Sequence, residues 1–481
     1  MMGSPVRVLL INPNQMRPPI APIGLDYLAD ALSRRGHRVE ILDLCFHSDV
    51  EKPTADAIGR FLPEVIGVTI RNTDDCHFGG QDFILPRIRE VITAVRRISQ
   101  APVVLGGVAF SIAPRETLEF LGADYGVRGE GEESCGLLAE RIVHGGGLEE
   151  VPGLVYRKNG RVVQTPPSFM NLDSLPSWSR RFVDNARYFG EGGQIGFETK
   201  RGCPMSCVYC PEPAAKGKTV RMRSPIMVAE ELRALLDQGA DHFHTCDSEF
   251  NLPEDHATAV CEEIARAGMG DKIRWYAYCA PAPFSRKLAA AMKKAGCAGI
   301  DFGADSGDDR ILRNLGRRFT ANDLRRTARL CREYEIPFMY DLLIGGPGET
   351  PASVKNTVEL MKEIGPDCVG TAIGVRVYDG TKIAGMIRAE GPLAANPNLH
   401  GAAEDNPGFL KPIFYISSSV GPDVFSYVEE LIGGDPRFFF GSRDESEQNY
   451  NYNDNSILVN AIRQGYRGAY WDILRRLRQA G

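Results

Sequence analysis

Over the first 150 residues, short apolar runs rich in Val, Ile and Leu alternate with Gly, Pro and Asn turns. Between them lie stretches whose apolar positions recur every three or four residues. Strands are expected at residues 7–11, 38–42, 65–70, 102–105 and 125–127. Between the first two, Leu25, Leu28, Ala29 and Leu32 share one helical face, and Gly36 follows as a stop. Strands alternating with helices predict a parallel, doubly wound (Rossmann-like) α/β sheet, whose ligands sit beyond the carboxyl ends of the strands. Those ends and the loops after them carry Asn12, Pro13, Asp43, Thr69, Arg71, Asn72, Gly106, Gly107, Gly129, Glu130 and Gly131. Glycines there let a ligand approach the backbone, although each one singly also suits a plain tight turn.

Residues 151–194 hold a hairpin-like piece around Asn159-Gly160 and then a Pro- and Ser-rich passage, read as a linker. The alternation restarts at residue 195, with strands expected at 195–199, 242–246, 274–278, 299–302, 338–344 and 370–377. Ser224-Pro225 opens a helix closed by Gly239, and Thr350-Pro351 opens one closed by Gly365. Six such units predict a partial (β/α)6 barrel over residues 195–390, with chemistry in the loops after its strands. From 391 to 481 the pattern changes to Gly, Asn and Pro, two helices and an Asn/Tyr run at 449–455. A small α-rich element is expected there, capping the barrel over a substrate with Tyr450, Tyr452, Asp454, Tyr470 and Trp471.

The chain has 481 residues, 43% hydrophobic and 25% charged, which suits two or three globular domains. Its net charge of −6, with both signs dispersed, disfavours nucleic acid or an anionic membrane as partner. No apolar run approaches the roughly 20 residues that span a bilayer, and the N-terminus lacks a signal-peptide pattern, so a cytoplasmic protein is expected. In such a setting twelve cysteines point to metal binding or catalysis rather than to a disulfide framework.

The strongest local signal is Arg201-Gly-Cys203-Pro-Met-Ser-Cys207-Val-Tyr-Cys210, three cysteines in one loop directly after an expected strand. Three thiolates so close can hold three irons of a [4Fe-4S] cluster and leave the fourth open. A zinc site would want a fourth Cys or His, and Cys246, at a neighbouring strand end, stays open for that role. His242, His244 and Cys246 alternate on one strand and so share a face, which leaves a second metal site conceivable beside ordinary packing.

The Cys-x3-Cys-x2-Cys triplet, with Tyr209 just before the third cysteine, resembles that of the radical S-adenosylmethionine (SAM) superfamily, over about residues 190–390. The resemblance implies that Cys203, Cys207 and Cys210 bind the cluster, that its open iron chelates SAM, and that one electron cleaves SAM to a 5′-deoxyadenosyl radical. Asp247 and Glu249 stand where such barrels place acceptors for the SAM amino group, a charge-assisted bond; Asn251 also suits a helix cap. Gly303-Ala-Asp305-Ser306-Gly307 resembles the family's Gly-x-Glu-Ser-Gly segment, with Asp305 one methylene shorter than the usual Glu. The segment from Ile344 to Gly346 resembles the adenine motif, with Ile344 flanking the base and Gly346 admitting the nucleoside.

Leu9-Leu-Ile-Asn-Pro13, Pro22-Ile-Gly24-Leu25, Leu105-Gly-Gly107 and Val127-Arg-Gly-Glu-Gly131 resemble the cobalamin-binding domain of the B12-dependent radical SAM class, over about residues 5–145. A Gly-x-Gly-x-x-Gly turn does not follow the first strand, so a dinucleotide site lacks its phosphate loop. Asp75-Cys-His77-Phe-Gly-Gly80 has the letters of a cobalt-ligating histidine motif but follows the third strand, so the lower axial ligand stays open among His77, the neighbourhood of Arg71 and none. Together the segments imply a cobalamin-dependent radical SAM methyltransferase using a [4Fe-4S] cluster, SAM and cobalamin. It would move a methyl group from SAM via methylcobalamin to an unactivated carbon or phosphorus of a small molecule, a peptide remaining possible, with flavodoxin or ferredoxin as electron donor. The alternatives are a cyclisation or rearrangement enzyme with the same cofactors, a methylthiotransferase with a second cluster on Cys45, Cys76 and Cys135, and a non-catalytic cobalamin or cluster sensor. Candidate acid or base residues are Glu212, Glu249 and Tyr378.

Overall fold

In the first sheet the strands are β1 (Arg7–Asn12), β2 (Arg38–Asp43), β3 (Val65–Thr69), β4 (Val103–Gly106), β5 (Tyr125–Val127), β6 (Leu154–Lys158) and β7 (Arg161–Gln164). This computed structural model describes residues 4–174, 177–421, 423–440 and 454–480; Tyr450 and Tyr452 lie outside the described residues. The order is β2-β1-β3-β4-β5-β6-β7, parallel through β5 and antiparallel across β5–β6–β7. Along β1 the pleat sends Leu9 and Ile11 to one face, under the helices Glu51–Phe61 and Leu85–Ile98, and Val8 and Leu10 to the other, under Ile23–Arg34 and Ser134–His144. Apolar side chains on both faces are what a parallel sheet covered by helices on both sides requires. The stretch expected to be a linker from residue 151 opens with β6 and β7, so the first unit runs to Gln164: the antiparallel hairpin covers the edge that β5 would otherwise expose.

The second sheet contains β8 (Ile195–Phe197), β11 (His242–Thr245), β12 (Arg274–Cys279), β13 (Cys297–Asp305), β14 (Phe338–Ile344), β15 (Cys368–Ile373) and β19 (Phe438–Phe440). All its pairs are parallel, in the order β19-β15-β14-β13-β12-β11-β8, an open barrel rather than a closed one. A two-stranded ribbon of β9 (Lys200–Arg201) and β10 (Arg221–Met222) stands beside it. The six expected units are present. A seventh strand, β19, comes from the C-terminal element, which also supplies β17 (Leu399–Gly401) and β18 (Ile413–Tyr415) to a small sheet with β16 (Val375–Arg376).

Charged side chains fix the two units against each other. Arg180, fully buried, donates to Asp26 at 2.9 Å and Glu231 at 2.7 Å, while Arg223 meets Glu231 at 2.7 Å and Tyr27 Oη donates to the same carboxylate. Arg376 of β16 closes on Asp74 at 2.8 Å. Glu130 and Glu132, in the loop after β5, pair with Arg221 and Arg201 at 2.6 and 2.7 Å, which latches the β9–β10 ribbon onto the first sheet. Removing one member of such a buried set leaves an uncompensated charge, at a cost of about 3–5 kcal/mol.

Candidate functional site

β8 leads through Glu198 and Thr199 into β9, and the β9–β10 pairing closes the loop that holds all three cysteines of the triplet. Gly202 opens that loop with φ +94°, and a Cβ there would run into Thr219 O, so a side chain has no room. Cys203 is buried, Cys207 and Cys210 half-buried. Burial pushes Cys203 up to about 11 and Cys210 up to about 12, and the charges of Glu249 and Glu212 respectively add to it. These thiols hold their protons at neutral pH until a cation displaces them. Among the described residues no set of three or more His, Cys, Asp or Glu side chains is arranged to hold a metal ion; a cubane asks for something else, one thiolate per iron, and the triplet offers three.

Arg317, which sequence reasoning missed, collects the groups around the triplet. Its Nη1 donates to Cys207 Sγ at 3.1 Å, its Nε lies 3.3 Å from Asp305, and its Nη2 lies 3.7 Å from Glu249. Tyr209 Oη donates to Asp305 Oδ2 at 2.7 Å, so Tyr209 and Asp305 come together as one bonded pair. Asp305 sits at φ +60° where the β13–β14 register shifts, a bulge that re-aims its carboxylate. Burial lifts Glu249 up to about 7, against the pull of Arg317. Nothing local ties Arg317 to a cysteine 110 residues away; the one signal was a cation directly after Gly316, whose glycine backbone abuts Ser206 and Cys207.

Other expected contacts move to supporting roles. Asp247 accepts from Thr199 N and Oγ1 at 2.8 and 2.6 Å and from Lys200 N and Nζ at 3.2 and 3.4 Å. With its oxygens engaged, this carboxylate pins the start of the cysteine loop to β11 instead of standing open for an ammonium group; Glu249 is the less engaged of the two. Ser306 is fully buried, shares a 3.0 Å hydrogen bond with Thr357 Oγ1 and accepts from Asp308 N, so its hydroxyl faces protein. Ile344 is fully buried, and Gly346 N donates at 3.0 Å to Glu349, as Gly345 N also does.

At the first sheet, a slot of about 310 Å³ runs beneath the helices Ile23–Arg34 and Ser134–His144. It is lined by Leu10, Gly67, Thr69, Gly106, Gly107, Gly129, Glu130 and Gly131 of the sheet and its loops, and by Leu28, Cys135 and Leu138 of the helices. Gly107, at φ +99°, lies so close to Ile70 O that a Cβ would fall 2.6 Å from it, and at Gly67 a Cβ would meet Leu10 at 2.7 Å. Gly24 has nothing within 4 Å of its Cβ position and borders this slot.

A second cavity, of about 560 Å³, joins the two units. Asn12, Gly24, Thr69, Arg71 and Gly107 line one side; His244, Cys246, Asp247, Glu212, Tyr278, Asp301 and Asp341 line the barrel side, and Tyr470 and Trp471 of the last helix complete it. Four of the residues expected beside cobalamin line neither space. Asp43 stands at the end of the edge strand β2 and accepts from Asn12 Nδ2 at 2.9 Å and Tyr188 Oη at 2.7 Å, so it orients Asn12. Pro13 lies off both cavities, Asn72 borders a smaller one with Cys76 and Tyr378, and His77 accepts from Gly80 N within its own loop. Tyr378 Oη lies 2.9 Å from Cys76 Sγ, on that smaller cavity. Cys45, Cys76 and Cys135 sit in three different surroundings, beside Arg17, Tyr378 and Gly131. Of the alternating strand residues, His242 pairs with Asp241 and stacks on Phe189, while His244 is driven down to about 4 by burial.

Known proteins resemble this chain in both units. The family described as Radical SAM superfamily matches residues 197–361, and the B12 binding domain matches residues 15–139. A tryptophan 2-C-methyltransferase of Streptomyces laurentii is 31% identical, with 96% of this chain and 95% of that protein covered. Among solved structures, the radical SAM methyltransferase TsrM from Kitasatospora setae with tryptophan substrate and the SAM analogue aza-SAM bound is 32% identical at a TM-score of 0.92, covering 98% of this chain and 99% of that one. The same enzyme with cobalamin and a [4Fe-4S] cluster bound is 30% identical at 0.91, covering 99% of each chain.

Proposed function

This chain belongs to the cobalamin-dependent radical SAM methyltransferases, and we propose that the molecule it methylates is an aromatic amino acid of the tryptophan class. Its cofactors are a [4Fe-4S] cluster, SAM and cobalamin, and its activity is transfer of a methyl group from SAM via methylcobalamin to a small molecule. The observation that carries the substrate class is the 560 Å³ cavity, which opens both to the carboxyl ends of the first sheet and to the barrel interior and is walled by Tyr278 and Trp471. The matching of nearly the whole chain to a tryptophan-bound methyltransferase supports it.

In this reading Cys203, Cys207 and Cys210 hold three irons, and Arg317, donating to the Cys207 sulfur, stabilises thiolate charge and orients the ligand. Tyr209, Asp305 and Glu249 surround the adenosyl cofactor's side of the loop, with Ile344 and Gly346 at the strand end that would admit its base. Thr69, Gly106, Gly107, Gly129 and Gly131 line the slot that would hold part of the cobalamin, where the missing side chains leave its width. Asn12 and Arg71, which line the cavity between the units, would face the corrin ring. Arg71 donates to Met16 Sδ at 3.3 Å, which steadies its guanidinium there. An external one-electron donor such as flavodoxin or ferredoxin and a cytoplasmic setting complete the reading; no helix of the described residues is long and apolar enough to cross a membrane.

The test is anaerobic reconstitution with iron, sulfide and cobalamin, followed by turnover with methyl-labelled SAM and L-tryptophan. Label in a methyltryptophan together with S-adenosylhomocysteine is expected. SAM consumption with another acceptor and none with tryptophan would overturn the substrate class.

A further inference from the structure

Deep in the larger cavity, two carboxyl side chains lie on neighbouring strands with no basic residue assigned to them. Asp301 of β13 and Asp341 of β14 belong to one face of the second sheet: Gly303, two residues after Asp301, is the cross-strand partner of Asp341. On the other side, Asp341 is registered with Gly370 of β15, where a Cβ would collide with its Oδ1. Gly370 thus clears space beside that carboxylate.

The two carboxyls hydrogen-bond to each other. Burial first, and each other's charge second, holds Asp301 well above the carboxylate range, and burial raises Asp341 as well. Two carboxylates in contact cannot both ionise, so the pair carries at most one negative charge near neutral pH. Asp301 Oδ1 and Asp341 Oδ1 accept from no protein donor among the described residues. Asp301 is itself 3% exposed and lines the cavity, so its unpartnered oxygen is a buried polar atom at the edge of that space. Buried polar atoms of this kind are nearly always satisfied, and the cavity in front of them is the side from which a donor would reach them. Among the described residues lining the cavity, Arg71 and no other is a permanent cation, and it belongs to the opposite side, on the first unit.

We infer that the Asp301–Asp341 pair binds the ammonium group of the substrate, which is therefore a primary amine. Held there, the amine's apolar body lies between Tyr278 and Trp471 and points toward Thr69 and Arg71 on the first sheet. The inference rests on the proposed amino-acid substrate for the identity of that body, while the cation at the pair is independent of which ring it carries.

The test uses reconstituted holoenzyme and matched probes: L-tryptophan against indole-3-propionate, and L-phenylalanine against 3-phenylpropionate, with dissociation constants measured by calorimetry. In at least one pair the amine is expected to bind about 30-fold tighter or more, the loss typical of truncating a buried charge pair. Asp301→Asn and Asp341→Asn singly keep one carboxylate, hence most of the preference. The double variant is neutral and is expected to lose it; Asp301→Ser with Asp341→Asn is the substitute if the double amide fails to retain cobalamin. No amine preference in the unmodified enzyme, or a preference that survives in a neutral variant, overturns the inference. Preference for phenylalanine but none for tryptophan leaves it standing and overturns the tryptophan reading instead.

Discussion

The slot under the first sheet and the surroundings of the cysteine loop, the two places proposed above for cofactors, are built from different materials. The slot is mostly glycine and aliphatic side chain, and its charged lining, Glu130, Glu132, Glu198, Arg201 and Lys216, is paired off, Glu130 with Arg221 and Arg201 with Glu132 and Glu198. Around the loop, Lys200, Asp247, Glu249, Asp305 and Arg317 are packed within a few ångströms of one another, most of them buried. The first selects by shape, where the unit of damage is a methyl group. The second selects by charge, where the unit of damage is one missing partner. Perturbing one should therefore leave the other intact.

The largest effect is expected from Cys207→Ala, which should abolish both iron–sulfur absorption and methyl transfer while cobalamin binding persists; residual SAM turnover would break the separation. Next comes Gly24→Leu. The site is helical with open space at its Cβ, so the variant should fold, but its side chain enters the slot. Cobalamin affinity should fall by about a hundredfold, with iron content unchanged. Arg317→Met should retain the cluster but lower its reduction potential, because a cation no longer sits 3.1 Å from Cys207 Sγ; turnover should fall by about tenfold. An unchanged potential in a spectroelectrochemical titration would remove Arg317 from this role.

The smallest effect concerns the seam. Burial alone would raise Glu132 and Glu231, but Arg201 on the first, and Arg223 with Arg180 on the second, outweigh it and hold both below the usual 4.5. Each carboxylate then contributes stability above that pH and loses it as pH falls through the depressed value. Chemical unfolding from pH 6 to 3 should show a midpoint that declines from about pH 4.5 downward, and a flat profile would argue that the seam contributes little.

Repetition and spacing made the strands and the cysteine loop legible in the chain. Five strands of the first sheet and six of the second follow from apolar runs between turn residues, and Cys203, Cys207 and Cys210 announce themselves by their separation. β19 escaped notice because three consecutive phenylalanines have no alternation, and a strand of that length is specified by the edge of β15 that it covers. Asp43 and Asp247 looked like ligands because strand ends carry ligands, but hydrogen bonds from Tyr188 and from Thr199 and Lys200 claimed them. Local sequence has no means of recording which donors arrive from 48 or 145 residues away.

The amino-acid order by itself determined two α/β units, the sulfur donors in one loop and the glycines that thin a wall, because each depends only on neighbours a few positions apart. The folded arrangement alone decided which carboxylates remain open, which cation meets Cys207, and that Asp301 and Asp341 share one face of one cavity. Those outcomes depend on strand register and on how two units dock, and a buried charge takes its character from whatever distant group the fold brings beside it.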